Sequence, residues 1–92
     1  MSARATSTRL IDVPNFLLHN HHAADDCGAV FAAFRGFTSP LRHSEALVSC
    51  RSGGHEIWWR VVAEDEAAAL RQLPRYVGTD STATRVDPVA VP

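Results

Sequence analysis

The sequence contains no lysine: all nine basic residues are arginine, set against ten acids for a formal net charge of −1. Alanine is abundant as well, and the bias reads as the codon usage of a GC-rich genome before it reads as function. The arginines (Arg4, Arg9, Arg35, Arg42, Arg51, Arg60, Arg71, Arg75, Arg85) are scattered and form no basic stripe, so nucleic acid is not an expected partner. There is no long hydrophobic run: the longest nearly uncharged apolar stretch, Gly28 to Phe34, is far too short to cross a bilayer. Behind Met1 stand Arg4 and Arg9 but no apolar segment; no export signal is read, and a cytoplasmic protein is expected. The cysteines are two, and they do not form a Cys-x-x-Cys pair. Without an export signal they are expected as free thiols or metal ligands rather than a disulfide framework.

What is present is ordinary globular material, 92 residues with 46% hydrophobic and 21% charged, enough for one domain. Residues 1–13 read as an N-terminal tail and 14–92 as the domain. Phe16-Leu17-Leu18 running into His19-Asn20-His21-His22 predicts a first strand. Ala23 to Phe37 predicts a helix, capped by Asp25 or Asp26 and buried through Cys27, Val30, Phe31 and Phe34, with Gly36 as its stop. Ala46 to Cys50 predicts a short strand, Arg51-Ser52-Gly53-Gly54 a hairpin turn, and His55 to Ala63 the clearest strand, with Ile57, Trp59 and Val61 on one side. Glu64-Asp65-Glu66 opens a second helix with Ala67, Leu70, Leu73 and Val77 on its apolar face, broken near Leu73 by Pro74. Thr82 to Val91 predicts a last strand, placed at an edge by Pro88. The order is β-α-β-β-α-β. It predicts an α+β ferredoxin-like sandwich, a four-stranded antiparallel sheet with two helices on one face.

In that topology the ends of strands one and two, the start of strand three and the start of helix one share one edge of the domain. His19, His21, His22, Cys27, Cys50 and His55 fall at that edge, and His43 at the opposite one. Cys50 and His55 share a face in both a two-residue and a four-residue hairpin register. Cys27, Cys50 and His55 are therefore expected to converge, with His22 or His21 completing a metal site. The phase of strand one decides whether His21, or His22 with Asn20, joins. Mixed thiolate and imidazole donors suit Zn²⁺, and Fe²⁺ or Cu⁺ less specifically. Two other readings stand beside this one. Cysteine is among the most buried residue types, so each cysteine also reads as a small core residue. Cys27 alone, at a helix start near imidazoles, reads as a low-pKa nucleophile or redox thiol.

On the other face of strand three, Trp58 and Val62 lie between Glu56 and Arg60. An open sheet face with a tryptophan at its centre needs a cover, expected to be a second copy of the same face in a homodimer; the tail residues Leu10 and Ile11 are the alternative. With the order of elements and the segment Gly54-His55-Glu56-Ile57-Trp58-Trp59, residues 14–92 resemble the small dimeric α/β-barrel proteins, such as muconolactone isomerases and antibiotic-biosynthesis monooxygenases. The resemblance implies a small organic ligand between sheet and helices. Trp58, Trp59 and Tyr76 would line its pocket, and His22, His55 or Glu56 would handle protons.

Overall fold

The computed structural model describes residues 13–92; the tail residues 1–12, Leu10 and Ile11 among them, lie outside it. Strand β1 (Asn15–His21) buries every second side chain, Phe16, Leu18 and Asn20, while Leu17 and His21 face out. The same phase carries His22, just past the strand, inward to 5% exposure. Strand β3 (Glu56–Val62) buries Ile57, Trp59 and Val61 and turns Arg60 and Val62 outward. The two strands pair antiparallel with Leu18 opposite Trp59. This register puts the inward residues of both on one face, the period-two pattern of a sheet covered on one side.

Strand β2 (Leu47–Val48) and strand β4 (Ser81–Val86) complete a four-stranded sheet of order β2-β3-β1-β4, each neighbouring pair antiparallel. β1 and β2 therefore run the same way, with β3 reversed between them. β2 is shorter than its sequence predicts because the chain leaves the ladder after Ser49. Cys50–Ser52 form a 3₁₀ turn and Gly53 takes φ +87°. Ser49 ties this turn together: its carbonyl accepts from the N–H groups of Ser52 and Gly54, and its Oγ accepts from the Glu56 N–H. Gly54 packs so closely on Ser49 that a Cβ there would collide with the serine side chain. β4 ends at Val86, two residues before Pro88, which has no N–H for a ladder.

The helices are shorter than the periodicity predicts. The first begins as a 3₁₀ turn (Ala24–Asp26), continues as α1 (Cys27–Ala32), and unwinds to Gly36 at φ +75°. Neither Asp25 nor Asp26 caps it. Among the described residues no side chain bonds the helix start; Asp26 instead accepts the Tyr76 O–H at 2.6 Å. Of the predicted buried stripe, Val30 is fully enclosed, Cys27 and Phe34 are half-buried, and Phe31 is 46% exposed, because so short a helix lays only one turn against the sheet. The second helix splits at Pro74. Helix α2 (Glu66–Leu70) is capped by the Asp65 carboxylate, which accepts from Ala68 N–H at 2.7 Å. Pro74 stands as N-cap of helix α3 (Arg75–Gly78), where its missing N–H leaves no bond unmade. Ala69, not Ala67, meets the core, with Leu73 and Val77. The core lies between the Phe16, Leu18, Ile57, Trp59, Val61 face and these helical residues.

Candidate metal centre

Four chain segments deliver one donor each to the edge where β1 and β2 end and β3 begins. His22 follows β1, and its N–H donates to the His55 carbonyl at 3.1 Å, extending the β1–β3 ladder by one step. Cys27 is the first residue of α1, Cys50 opens the turn after β2, and His55 precedes β3. His55 holds φ +52°, a left-handed conformation that costs a residue with a Cβ about 1–2 kcal/mol. That bend takes the chain out of the glycine turn and brings its imidazole back over Cys27.

The donor atoms of His22, Cys27, Cys50 and His55 all lie within 4.8 Å of one another. His22 Nε2 is 3.1 Å from Cys27 Sγ and 3.5 Å from Cys50 Sγ; His55 Nδ1 is 3.2 Å from Cys27 Sγ. The two imidazoles meet edge to face, with centroids 5.8 Å apart. His22 is buried and the other three are half-buried, so the cluster sits at the rim of the core. Behind it His22 Nδ1 lies 2.8 Å from Asn20 Oδ1. Both cysteines are free thiols. The arrangement can hold a metal ion.

The electrostatics speak against Cys27 as an activated nucleophile. Burial, then the neighbouring Cys50 sulfur and the Asp26 carboxylate, push its thiol up from the ordinary range instead of down. α1 has only six residues, and its start carries an acid beside the thiol. A cation among the four donors would reverse this balance, since a coordinating thiol is deprotonated by the ion it binds.

No family model matches this chain, nor does any curated protein or solved structure.

The other residues singled out in the sequence are dispersed. His21 faces out on the far side of the sheet from the cluster, so of the two phases of strand one the structure holds that of His22 with Asn20. His19 shares the face of His21. Its Nε2 meets Glu56 Oε1 at 2.6 Å, and its ring stacks on Trp58 at 5.2 Å and 19°. Glu56 is thereby engaged away from His22 and His55. Trp59 is a core residue against Phe34, Trp58 lies on the opposite face, and Tyr76 stands half-exposed on α3. These three aromatic side chains do not share one wall. His43 lies in the Leu41–Ser44 turn, outside the cluster. One residue that matters here was not singled out in the sequence: Ser49, which holds the turn that aims Cys50 and His55. Asn20 was placed with His22 by one phase of strand one, but its hydrogen bond to that imidazole was not read. The signal for Asn20 was its spacing of two from Leu18 and His22.

Proposed function

We propose that this protein is a transition-metal-binding module whose site is His22, Cys27, Cys50 and His55, and whose ion is Zn²⁺. The carrying observation is the convergence of four soft or borderline donors from four separate segments within 4.8 Å. A tetrahedral zinc with Zn–S near 2.3 Å and Zn–N near 2.0–2.1 Å has S–N edges of about 3.6 Å. The S–N separations of 3.1, 3.2 and 3.5 Å fall just short of that edge, so an ion needs small outward rotations of the side chains. A closed tetrahedron of two sulfurs and two imidazole nitrogens is the donor set of structural zinc sites, and its geometry fits zinc or an iron–sulfur centre. Four protein donors leave no coordination position for water or substrate, which makes the site structural or metal-holding and not hydrolytic. The small-molecule enzyme reading has less support, because Trp58, Trp59 and Tyr76 do not frame one pocket and Glu56 is paired with His19.

The frame in this reading is the ferredoxin-like split β-α-β. The antiparallel order β2-β3-β1-β4 and the sequence of elements support it. The open sheet face, with Leu17, Trp58, Val62 and Leu47 exposed or half-exposed, supports the further reading that a second copy covers it.

Cobalt titration into metal-free protein tests the metal reading. One equivalent should produce thiolate-to-cobalt charge transfer and the strong visible bands of a tetrahedral site, and zinc should bleach both. A weak octahedral spectrum, or no saturation near one equivalent, would overturn it.

A further inference from the structure

Asn20 is 1% exposed, at the third inward position of β1. A buried primary amide must satisfy two donors and an acceptor, and which end points where decides the chemistry of its neighbour. The nitrogen end of Asn20 faces Val77 O at 3.2 Å, Asp80 O at 3.4 Å and Ser81 Oγ at 3.0 Å. Both carbonyls are acceptors only. Ser81 Oγ already donates its proton to Val77 O at 2.7 Å, so it too accepts from the amide. Reversing the amide would set its oxygen against two carbonyl oxygens. The amide orientation is therefore fixed by the α3–β4 junction, and its oxygen is the group left to face His22 Nδ1 at 2.8 Å.

An amide oxygen only accepts. His22 must then carry its proton on Nδ1, and the lone pair of a neutral ring must sit on Nε2, the atom that faces both sulfurs. Among the described residues nothing comparable holds His55, whose Nδ1 is the atom turned to Cys27. Building on the metal reading above, we propose that Asn20 is the positioning residue of the site: it selects the Nδ1–H tautomer of His22, so that His22 binds the ion through Nε2 while His55 binds through Nδ1. An imidazole ligand whose second nitrogen is held by a hydrogen-bond acceptor is oriented and made more basic, and losing such a partner costs about 10- to 100-fold in metal affinity. The chain Ser81–Asn20–His22 thereby ties the site to the far end of the sequence.

The test is long-range ¹H–¹⁵N correlation of the histidine rings in the full chain, before and after one equivalent of Zn²⁺, with zinc affinity measured by chelator competition in wild type and N20L. The expected result is His22 protonated at Nδ1 in both states and coordinated at Nε2, and His55 coordinated at Nδ1. N20L should bind zinc about 10- to 100-fold more weakly and lose the single His22 tautomer. Zinc on His22 Nδ1, or N20L matching wild type in affinity and tautomer, would overturn the proposal and leave the metal reading intact. Wild type that takes up no zinc would overturn both. Should N20L fail to fold, the wild-type ring spectra alone decide between Nε2 and Nδ1.

Discussion

At the scale of single residues, the site makes unequal demands on its members. Cys27 and Cys50 are there for their sulfur. C27S or C50S should bring tetrahedral cobalt binding down from stoichiometric to undetectable at micromolar metal, measured by charge-transfer absorption, with little change in the far-ultraviolet circular dichroism. Because burial, Cys50 and Asp26 hold the Cys27 thiol above its ordinary range, that thiol is protonated at neutral pH in the metal-free protein. Binding must expel its proton. Metal affinity should therefore climb as pH rises through neutrality, with proton release detectable in weak buffer; a pH-independent affinity from 7 to 9 would contradict the thiolate assignment. His55 has two roles that substitution can separate. Its φ of +52° suits glycine. H55G should therefore lose zinc binding, yet its metal-free form should be more stable to denaturant than that of H55A by about 1 kcal/mol. The convergence of the cysteines with His55 was legible from topology, since Cys50 and His55 share a face in either even register. The choice of His22 over His21 was not. Leu17 and Leu18 are both apolar, so hydrophobic pattern left the phase of β1 open, and it was settled by which leucine met Ile57 and Trp59 in the core.

At the scale of elements, the turn between β2 and β3 is the device that aims two of the four ligands. It depends on Ser49 and on the absence of a side chain at Gly54. G54A forces a methyl into the serine and should cost about 1–3 kcal/mol, in the range of overpacking. It should also weaken zinc binding by displacing Cys50 and His55; unchanged affinity in chelator competition would show that the turn does not position them. The glycine pair marked this turn in the sequence. Its 3₁₀ geometry was hidden, since Cys50, Arg51 and Ser52 carry no signal that separates a strand end from a tight turn. The helices were legible in place and not in length. Pro74 announced the break between α2 and α3, but two acids before Cys27 looked like caps, and only the Tyr76 partner explains why Asp26 faces away.

At the scale of the whole molecule, four segments clasped at one edge of the sheet link metal to folding. An ion that binds only the folded state stabilises it by about 2.7 kcal/mol at a free concentration one hundred times its Kd. The midpoint of thermal unfolding should rise with zinc and fall with chelator, and should not move in C27S. Among the described residues no helix is long and apolar enough to cross a membrane. The exposed sheet face gives a separate expectation: wild type should sediment as a dimer and V62E as a monomer, and a monomeric wild type would leave that face to another cover. Most direct of all is the metal content of untagged, dialysed protein, with thiols counted before and after chelation. The expected result is about one zinc per chain, with both thiols titrating only once the metal is removed. Protein free of metal, with both thiols reactive from the start and no uptake when zinc is supplied, would contradict it.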